Sequence, residues 1–302
     1  MARSTYFDQG RIADACPGSE SGYAQRFQCG NIVKRLIWTR MIPTHHDIHI
    51  SPSQLYLDLL KSVLTDTVFE MGPDPDTLSA ASYVQRLVEH CIKGRALTMV
   101  PRRRLDNIQN CIEDVIANNV PGDVIEAGVW RGGTAIFMKA VLTVHKSVHR
   151  RVWVADSFEG LPAPNANLHP IESKAHESKL MRDVYHHFAV DADEARENFR
   201  RFGLLDDGVQ FLEGWFKDTL PSAPIDRLSV IRLDGDYYDS TMDCLVSLYH
   251  KLSPGGYCVI DDYGQDDWTY CRQAVDEFRS KHAISEPIIR VDSTCHFWQR
   301  GR

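Results

Sequence analysis

"VIEAGVWRGGTAIFMKAVL", residues 124–142, opens as a short apolar run, breaks at Gly128, passes the pair Gly132 and Gly133, and continues with helical spacing. A strand turning sharply into a helix is a βα unit, and glycines at the turn let the chain reverse and let a ligand approach the backbone. The spacing departs from the dinucleotide fingerprint GxGxxG: the glycine after Gly128 comes four residues later, and an acid, Glu126, sits at the strand end. That carboxylate would repel a pyrophosphate and attract a cationic amino group.

Outward from this unit the pattern repeats. β-rich runs at 123–127, 151–155, 209–212, 228–233, 257–260, 288–291 and 296–299 alternate with helical patterns at 134–148, 191–202, 240–252 and 268–282. The alternation predicts a doubly wound α/β fold, a parallel sheet covered on both faces with right-handed crossovers. The last two runs lie only a few polar residues apart, which predicts an antiparallel hairpin at the sheet edge. Upstream, Leu55, Leu57, Leu59, Leu60, Val63 and Leu64 recur at helical spacing behind a capping box of Ser51 and Gln54. A second helix is expected over 79–93 and a third over 104–118, with Ile108, Cys111, Ile112, Val115 and Ile116 on one face. Residues 1–48 show no sustained periodicity, so the expected organisation is an N-terminal extension (1–48), a helical cap region (49–120) and an α/β catalytic domain (121–302).

Composition excludes several classes. With 302 residues, 43% of them hydrophobic, the chain can bury a substantial core, and a net charge of −7 argues against a general nucleic-acid binder. The clusters Arg102–Arg103–Arg104 and Arg200–Arg201 are either anion contacts or solvated faces. Eight cysteines without CxxC spacing read as reduced structural thiols. No basic segment precedes an apolar h-region and no run of about eighteen apolar residues occurs, so a cytoplasmic chain without a membrane partner is expected.

The acids at strand ends carry the chemistry. "RVWVAD", 151–156, ends at Asp156 before Ser157, where a carboxylate can accept hydrogen bonds from both hydroxyls of a ribose. With Glu126 this suggests an adenosine ligand bearing an ammonium, S-adenosylmethionine more readily than NAD. In "RLDGDYYDS", 232–240, Asp234 closes the fourth strand, and "YCVIDDYG", 257–264, places Asp261 and Asp262 at the end of the fifth. Neighbouring strands lie about 4.8 Å apart, so these carboxylates can converge. Three of them without Cys or His favour a hard divalent cation, most simply Mg²⁺, leaving Asp236 and Asp239 outside its first layer or solvated.

These motifs together, "GDVIEAGVWRGGTAIF", "VWVADSFEGLP", "GLLDDGVQFLEGWFKDTLP", "IRLDGDYYDST" and "PGGYCVIDDYG", resemble the macrocin-type (TylF-like) O-methyltransferases of antibiotic biosynthesis, from about Leu55 through "VDSTCHFWQR". The resemblance implies a class I methyltransferase fold, S-adenosylmethionine and Mg²⁺ as cofactors, and methylation of a hydroxyl of a small-molecule natural product, commonly on a deoxysugar. It implies Asp234, Asp261 and Asp262 as metal ligands and Glu126, Gly128, Asp156 and Ser157 as cofactor contacts. "LTMVPRRRLDN", carrying Thr98 and Met99, would border the methionine moiety. Asp234 is the expected catalytic base, with Asp236 as the alternative, because "DGDYYDS" offers no lysine. The polar, histidine-rich stretch 161–190 reads as a mobile lid over the acceptor, in which His186 and His187 either touch substrate or are simply exposed. Trp130, Trp215 and Trp268 either line the cleft or pack in the core. A homo-oligomer is compatible with this reading. The rivals are an NAD-dependent sugar oxidoreductase, which shares the sheet and Asp156, and a non-catalytic binding protein retaining the fold.

Overall fold

The computed structural model describes residues 50–69, 91, 94–264 and 270–302. The extension 1–48, nearly all of the helix expected over 79–93, and Trp268 lie outside these residues. Residues 50–302 form one compact unit. Seven strands make a single sheet: β1 (Asp123–Ala127), β2 (Val152–Asp156), β3 (Val209–Glu213), β4 (Leu228–Leu233), β5 (Leu252–Ile260), β6 (Ile289–Arg290) and β7 (His296–Gln299). Their order is β3-β2-β1-β4-β5-β7-β6. β1 to β5 pair in parallel, whereas β7 runs antiparallel to both β5 and β6, which is the expected edge hairpin.

Both faces of the central strands are covered, which is why they read as continuous apolar runs. On one face, Val124, Val154, Val230 and Val259 pack under α1 (Pro52–Leu64), α2 (Arg102–Ala117) and α3 (Gly133–Val144). On the other, Ile125, Ala127, Ile231, Leu233 and Ile260 pack under α8 (Tyr238–Leu248) and α9 (Tyr270–Lys281). α1 begins as its sequence predicts: Ser51 Oγ accepts from Gln54 N at 3.1 Å. Only part of its apolar periodicity faces inward, with Leu57, Leu60 and Leu64 buried and Leu55, Leu59 and Val63 exposed. Among the described residues no helix is long and apolar enough to cross a membrane.

Two local expectations fail for physical reasons. The helix expected over 240–252 stops at Leu248, a short 3₁₀ turn follows, and β5 starts at Leu252. "PGG" at 254–256 is a bulge inside the strand, where the register to β4 jumps between Leu228 and Val230. The segment 161–190 is not an open loop: it contains α4 (Pro170–His176), α5 (Lys179–Val184) and a 3₁₀ turn over Tyr185–His187. Pro170 in the first turn, Glu172 near the N-terminus and Lys174 and His176 in the last turn suit a short helix, despite a polar composition that masks its period. α6 (Ala192–Arg201) and α7 (Phe216–Thr219) complete the chain order between β2 and β4.

Candidate active site

The sheet order reverses between β1 and β4, and ligands of open α/β sheets bind outside the carboxyl ends of the strands at such a point. A cavity of about 1100 Å³ lies there. Small-molecule sites occupy about 300–1,000 Å³, so this cavity is at the large end of that class. Gly128 is required at its floor: its φ is 91°, and a Cβ would sit 1.9 Å from the Asp234 carbonyl oxygen. Gly133 is equally constrained, because a Cβ would meet the Leu97 carbonyl at 2.4 Å. That close approach fastens the 97–100 strap onto the start of α3. Gly133 N donates to Leu97 O at 2.9 Å, and the Thr98 and Thr134 hydroxyls lie 2.9 Å apart. Thr98 and Met99 line the cavity, as do Glu126, Gly128, Asp156 and Ser157.

Three of these expected cofactor residues are already engaged within the chain. Asp156 Oδ2 accepts from Val129 N (2.7 Å) and Trp130 N (3.2 Å), and its Oδ1 accepts from Phe158 N (2.9 Å). Burial raises its pKa, and the three N–H donors work against that rise. Oδ2 thus has both lone pairs engaged, whereas Oδ1, with one donor, keeps a lone pair for a ribose hydroxyl. Ser157 Oγ donates to Gly160 O at 2.8 Å and accepts from Glu159 N, so it shapes the β2 turn. Glu126 is buried, and Arg232 Nη1 donates to its Oε1 at 2.6 Å, so the attractor expected for an ammonium already has a cation beside it. Burial pushes Glu126 up to about 8 even though Arg232 opposes the shift.

Arg232 was not singled out from the sequence, and it organises the site. It faces Glu126 in register across β1 and β4. Its Nη2 donates to Asp234 Oδ2 (3.0 Å) and Asp261 Oδ1 (2.6 Å). Arg104, the last of the three arginines expected to be an anion contact or a solvated face, is buried instead. It donates to Asp261 Oδ2, to Thr294 Oγ1, and through Nε to Asp292 Oδ2 at 2.6 Å. Both Asp261 oxygens are thus held by guanidiniums; burial opposes ionisation there, but the two arginines outweigh it and hold the carboxyl below its usual range.

The set of acids that converges therefore differs from the expected one. Asp234, Asp236 and Asp262 bring carboxylate oxygens within 4.8 Å of one another, with Asp236 in the place expected for Asp261. Asp236 has a φ of 59°, and that left-handed turn after β4 returns it to the cavity. Burial, then the charge of Asp261, lifts Asp234 to about 6. Burial and neighbouring carboxylates push Asp236 and Asp262 well above the usual range. Across this part of the cavity and the buried layer beneath it, six carboxyl groups (Glu126, Asp234, Asp236, Asp261, Asp262, Asp292) share two arginines, an excess of four negative charges if all ionise. An all-oxygen, electron-rich set of this kind fits a hard divalent cation and a cationic cofactor. Trp130 and Trp215 also line the cavity, whereas His186 and His187 are not among its lining residues.

The sequence profile of the macrocin O-methyltransferase (TylF) family matches residues 79–300. The chain belongs to that family. The Streptomyces olivaceus enzyme 8-demethyl-8-(2,3-dimethoxy-alpha-L-rhamnosyl)-tetracenomycin-C 4'-O-methyltransferase is 49% identical over 81% of this chain and 92% of its own length. Mycinamicin III 3''-O-methyltransferase of Micromonospora griseorubida is 41% identical over 83% of this chain and 100% of its own. The solved structure of the O-methyltransferase NovP superposes with a TM-score of 0.71 at 46% identity, covering 83% of this chain and all of that one. This macrocin-family chain is accordingly a class I, S-adenosylmethionine-dependent O-methyltransferase, which decides against the oxidoreductase and the non-catalytic binding protein.

Proposed function

We propose that the chain methylates a hydroxyl on a sugar of a glycosylated natural product, with Mg²⁺ as its metal. The observation that carries this reading is the convergence of Asp234, Asp236 and Asp262 in the cavity that Gly128, Asp156, Thr98 and Met99 also line. The substrate class follows the relatives, which are named for rhamnosyl-tetracenomycin and mycinamicin acceptors. Mg²⁺ bound at such a set lowers the pKa of a neighbouring hydroxyl, and S-adenosylmethionine supplies the methyl group.

The chain's own residues divide the remaining tasks. Asp156 takes the ribose hydroxyls, and the 97–100 strap covers the methionine end of the cofactor. Asp234 and Asp262 hold the metal, with Asp261 anchored beside them by Arg232 and Arg104, one bond to each oxygen. Asp234 was the expected base, but its hydrogen bond from Arg232 lowers its basicity. Asp236, more strongly destabilised as an anion by burial and by the neighbouring carboxylates, is the better acceptor for the hydroxyl proton. The lid α4 to α5 and the aromatics Phe188, Trp215 and Phe216 form the acceptor side.

The test uses the full chain with 4-nitrophenyl α-L-rhamnopyranoside and methyl-labelled S-adenosylmethionine. Label should enter the glycoside, EDTA should abolish incorporation, and Mg²⁺ should restore it. Asp262→Asn should lose the Mg²⁺ response while retaining S-adenosylhomocysteine binding. Full incorporation in EDTA refutes the metal reading, and incorporation into no glycoside refutes the acceptor class.

A further inference from the structure

Glu172 sits on α4 and is 1% exposed, yet it is among the residues lining the cavity. Its Oε1 accepts from Tyr238 N at 2.9 Å. Its Oε2 is buried with no hydrogen-bond partner among the described residues. A buried carboxylate oxygen left unpaired costs about 1–3 kcal/mol or more, so it marks a place where a donor is missing.

Its position is fixed from three sides. His176 Nδ1 lies 2.8 Å from the Tyr237 hydroxyl, His169 stacks on Tyr238 with ring centres 4.5 Å apart, and His169 Nε2 lies 3.3 Å from Asp239 Oδ1. These contacts pin α4 across the start of α8, so Glu172 is held against the backbone only two residues beyond Asp236. The Glu172 carboxylate thus lies on the wall of the same cavity that holds the carboxylate cluster, beside the turn that carries Asp236. The flanking wall, with Met181, Val184, Phe188, Trp215 and Phe216, is apolar and aromatic, which suits an aglycone.

We infer that Glu172 is a specificity-determining residue: its free carboxylate oxygen accepts a hydrogen bond from a second, non-reacting hydroxyl of the acceptor sugar, on the same ring as the hydroxyl that is methylated. This rests on the sugar-methylation reading above. This would set the chain apart from the relative named for a 2,3-dimethoxyrhamnosyl acceptor, whose ring has no non-reacting hydroxyl: here a deoxy or already methylated position would leave the buried oxygen unpaired.

The experiment compares 4-nitrophenyl α-L-rhamnopyranoside with its three monodeoxy analogues, in the wild type, Glu172→Gln and Glu172→Ala. The readouts are kcat/KM and, with S-adenosylhomocysteine bound, the glycoside Kd. The wild type should disfavour one non-reacting deoxy analogue by roughly 10- to 150-fold, the range of a charge-assisted hydrogen bond. Glu172→Ala should abolish that preference, and Glu172→Gln should reduce it at least threefold, with S-adenosylhomocysteine affinity unchanged in both. If Glu172→Ala has no cooperative thermal transition, the glutamine variant decides alone. A merely structural role for Glu172 would lower all four glycosides equally and leave the preference intact, which overturns the inference. A wild type that neither binds nor methylates any glycoside overturns the parent reading and this one with it, and is recognised by its failure in the wild type.

Discussion

Replacing Arg232 with methionine keeps an extended side chain in β4 while deleting the guanidinium that Glu126, Asp234 and Asp261 share. The cost at about pH 7.5 can be worked group by group, taking about 1.4 kcal/mol per pKa unit. Glu126, already at about 8, protonates at little cost. Asp234, at about 6, needs about 2 kcal/mol to protonate at that pH. Asp261 keeps Arg104 but loses one charged hydrogen bond, about 1.5–3 kcal/mol. The total, about 3–5 kcal/mol, agrees with what removing one partner from a buried ion pair costs, and is a large part of an ordinary stability of about 5–15 kcal/mol. The sign with pH follows from Glu126 and Asp234, whose folded pKa values are raised above the unfolded ones, whereas Asp261, held low by its arginines, keeps its share of the deficit over this range. The two raised acids destabilise the fold increasingly as pH rises from about 4 through their folded pKa values, so the deficit of the variant should shrink on acidification towards about pH 5. Urea unfolding followed by tryptophan fluorescence, with unchanged slope, measures it. Arg232→Lys should recover only part of the loss, since one ammonium cannot reproduce the fork. A deficit below about 1 kcal/mol at pH 7.5, or one that grows on acidification, would refute this account of the network.

Asp156→Asn should weaken S-adenosylhomocysteine binding by calorimetry about tenfold or more, because a charged acceptor for the ribose hydroxyls becomes neutral; affinity within twofold of the wild type sinks its role. Trp130→Phe removes the 2.7 Å bond from the indole N–H to His187 O, and hydrogen exchange should quicken over 185–190 with cofactor affinity unchanged. Equal protection in the variant would show that the lid is held by other contacts.

How far the sequence could be read depends on where each interaction partner lies. Parallel strands buried on both faces announce themselves as apolar runs, and the acids at Glu126, Asp156, Asp234 and Asp261 mark where those runs end, so the sheet and its functional edge were legible. The bulge at 254–256 was not, because Pro-Gly-Gly has the composition of a turn whether or not the ladder resumes around it. Arg232 was visible only as a charge in an apolar run. Its meaning comes from Glu126, 106 residues away, and Arg104 reaches Asp292 across 188 residues, separations to which no local spacing is sensitive. Asp236 was placed outside the cluster for a different reason: the direction of a side chain after a strand end depends on one backbone torsion, and its left-handed φ turns it inward. Glu172 lay in a stretch read as loop, where nothing distinguishes a buried carboxylate from a solvated one.

The arrangement of charge separates the site into two layers with different dependence on ligands. Glu126, Asp261 and Asp292 lie against Arg104 and Arg232, so this inner layer carries nearly its own compensation and holds β1, β4, α2 and the edge hairpin together. Asp234, 28% exposed to the cavity, Asp236 and Asp262 form the outer layer, where burial and mutual repulsion raise all three and the arginines reach only in part. Asp234 belongs to both through its bond from Arg232. Strain in the outer layer is relieved by protons or by bound cations, and the two compete. On the proposed metal site, the cation-dependent gain in stability should be larger at about pH 8, where protons no longer relieve Asp234, than at about pH 5, where they do. Thermal unfolding of the full chain with and without Mg²⁺ at the two pH values reads this difference directly. An Mg²⁺ shift of equal size at both would mean that the ion binds away from these carboxylates.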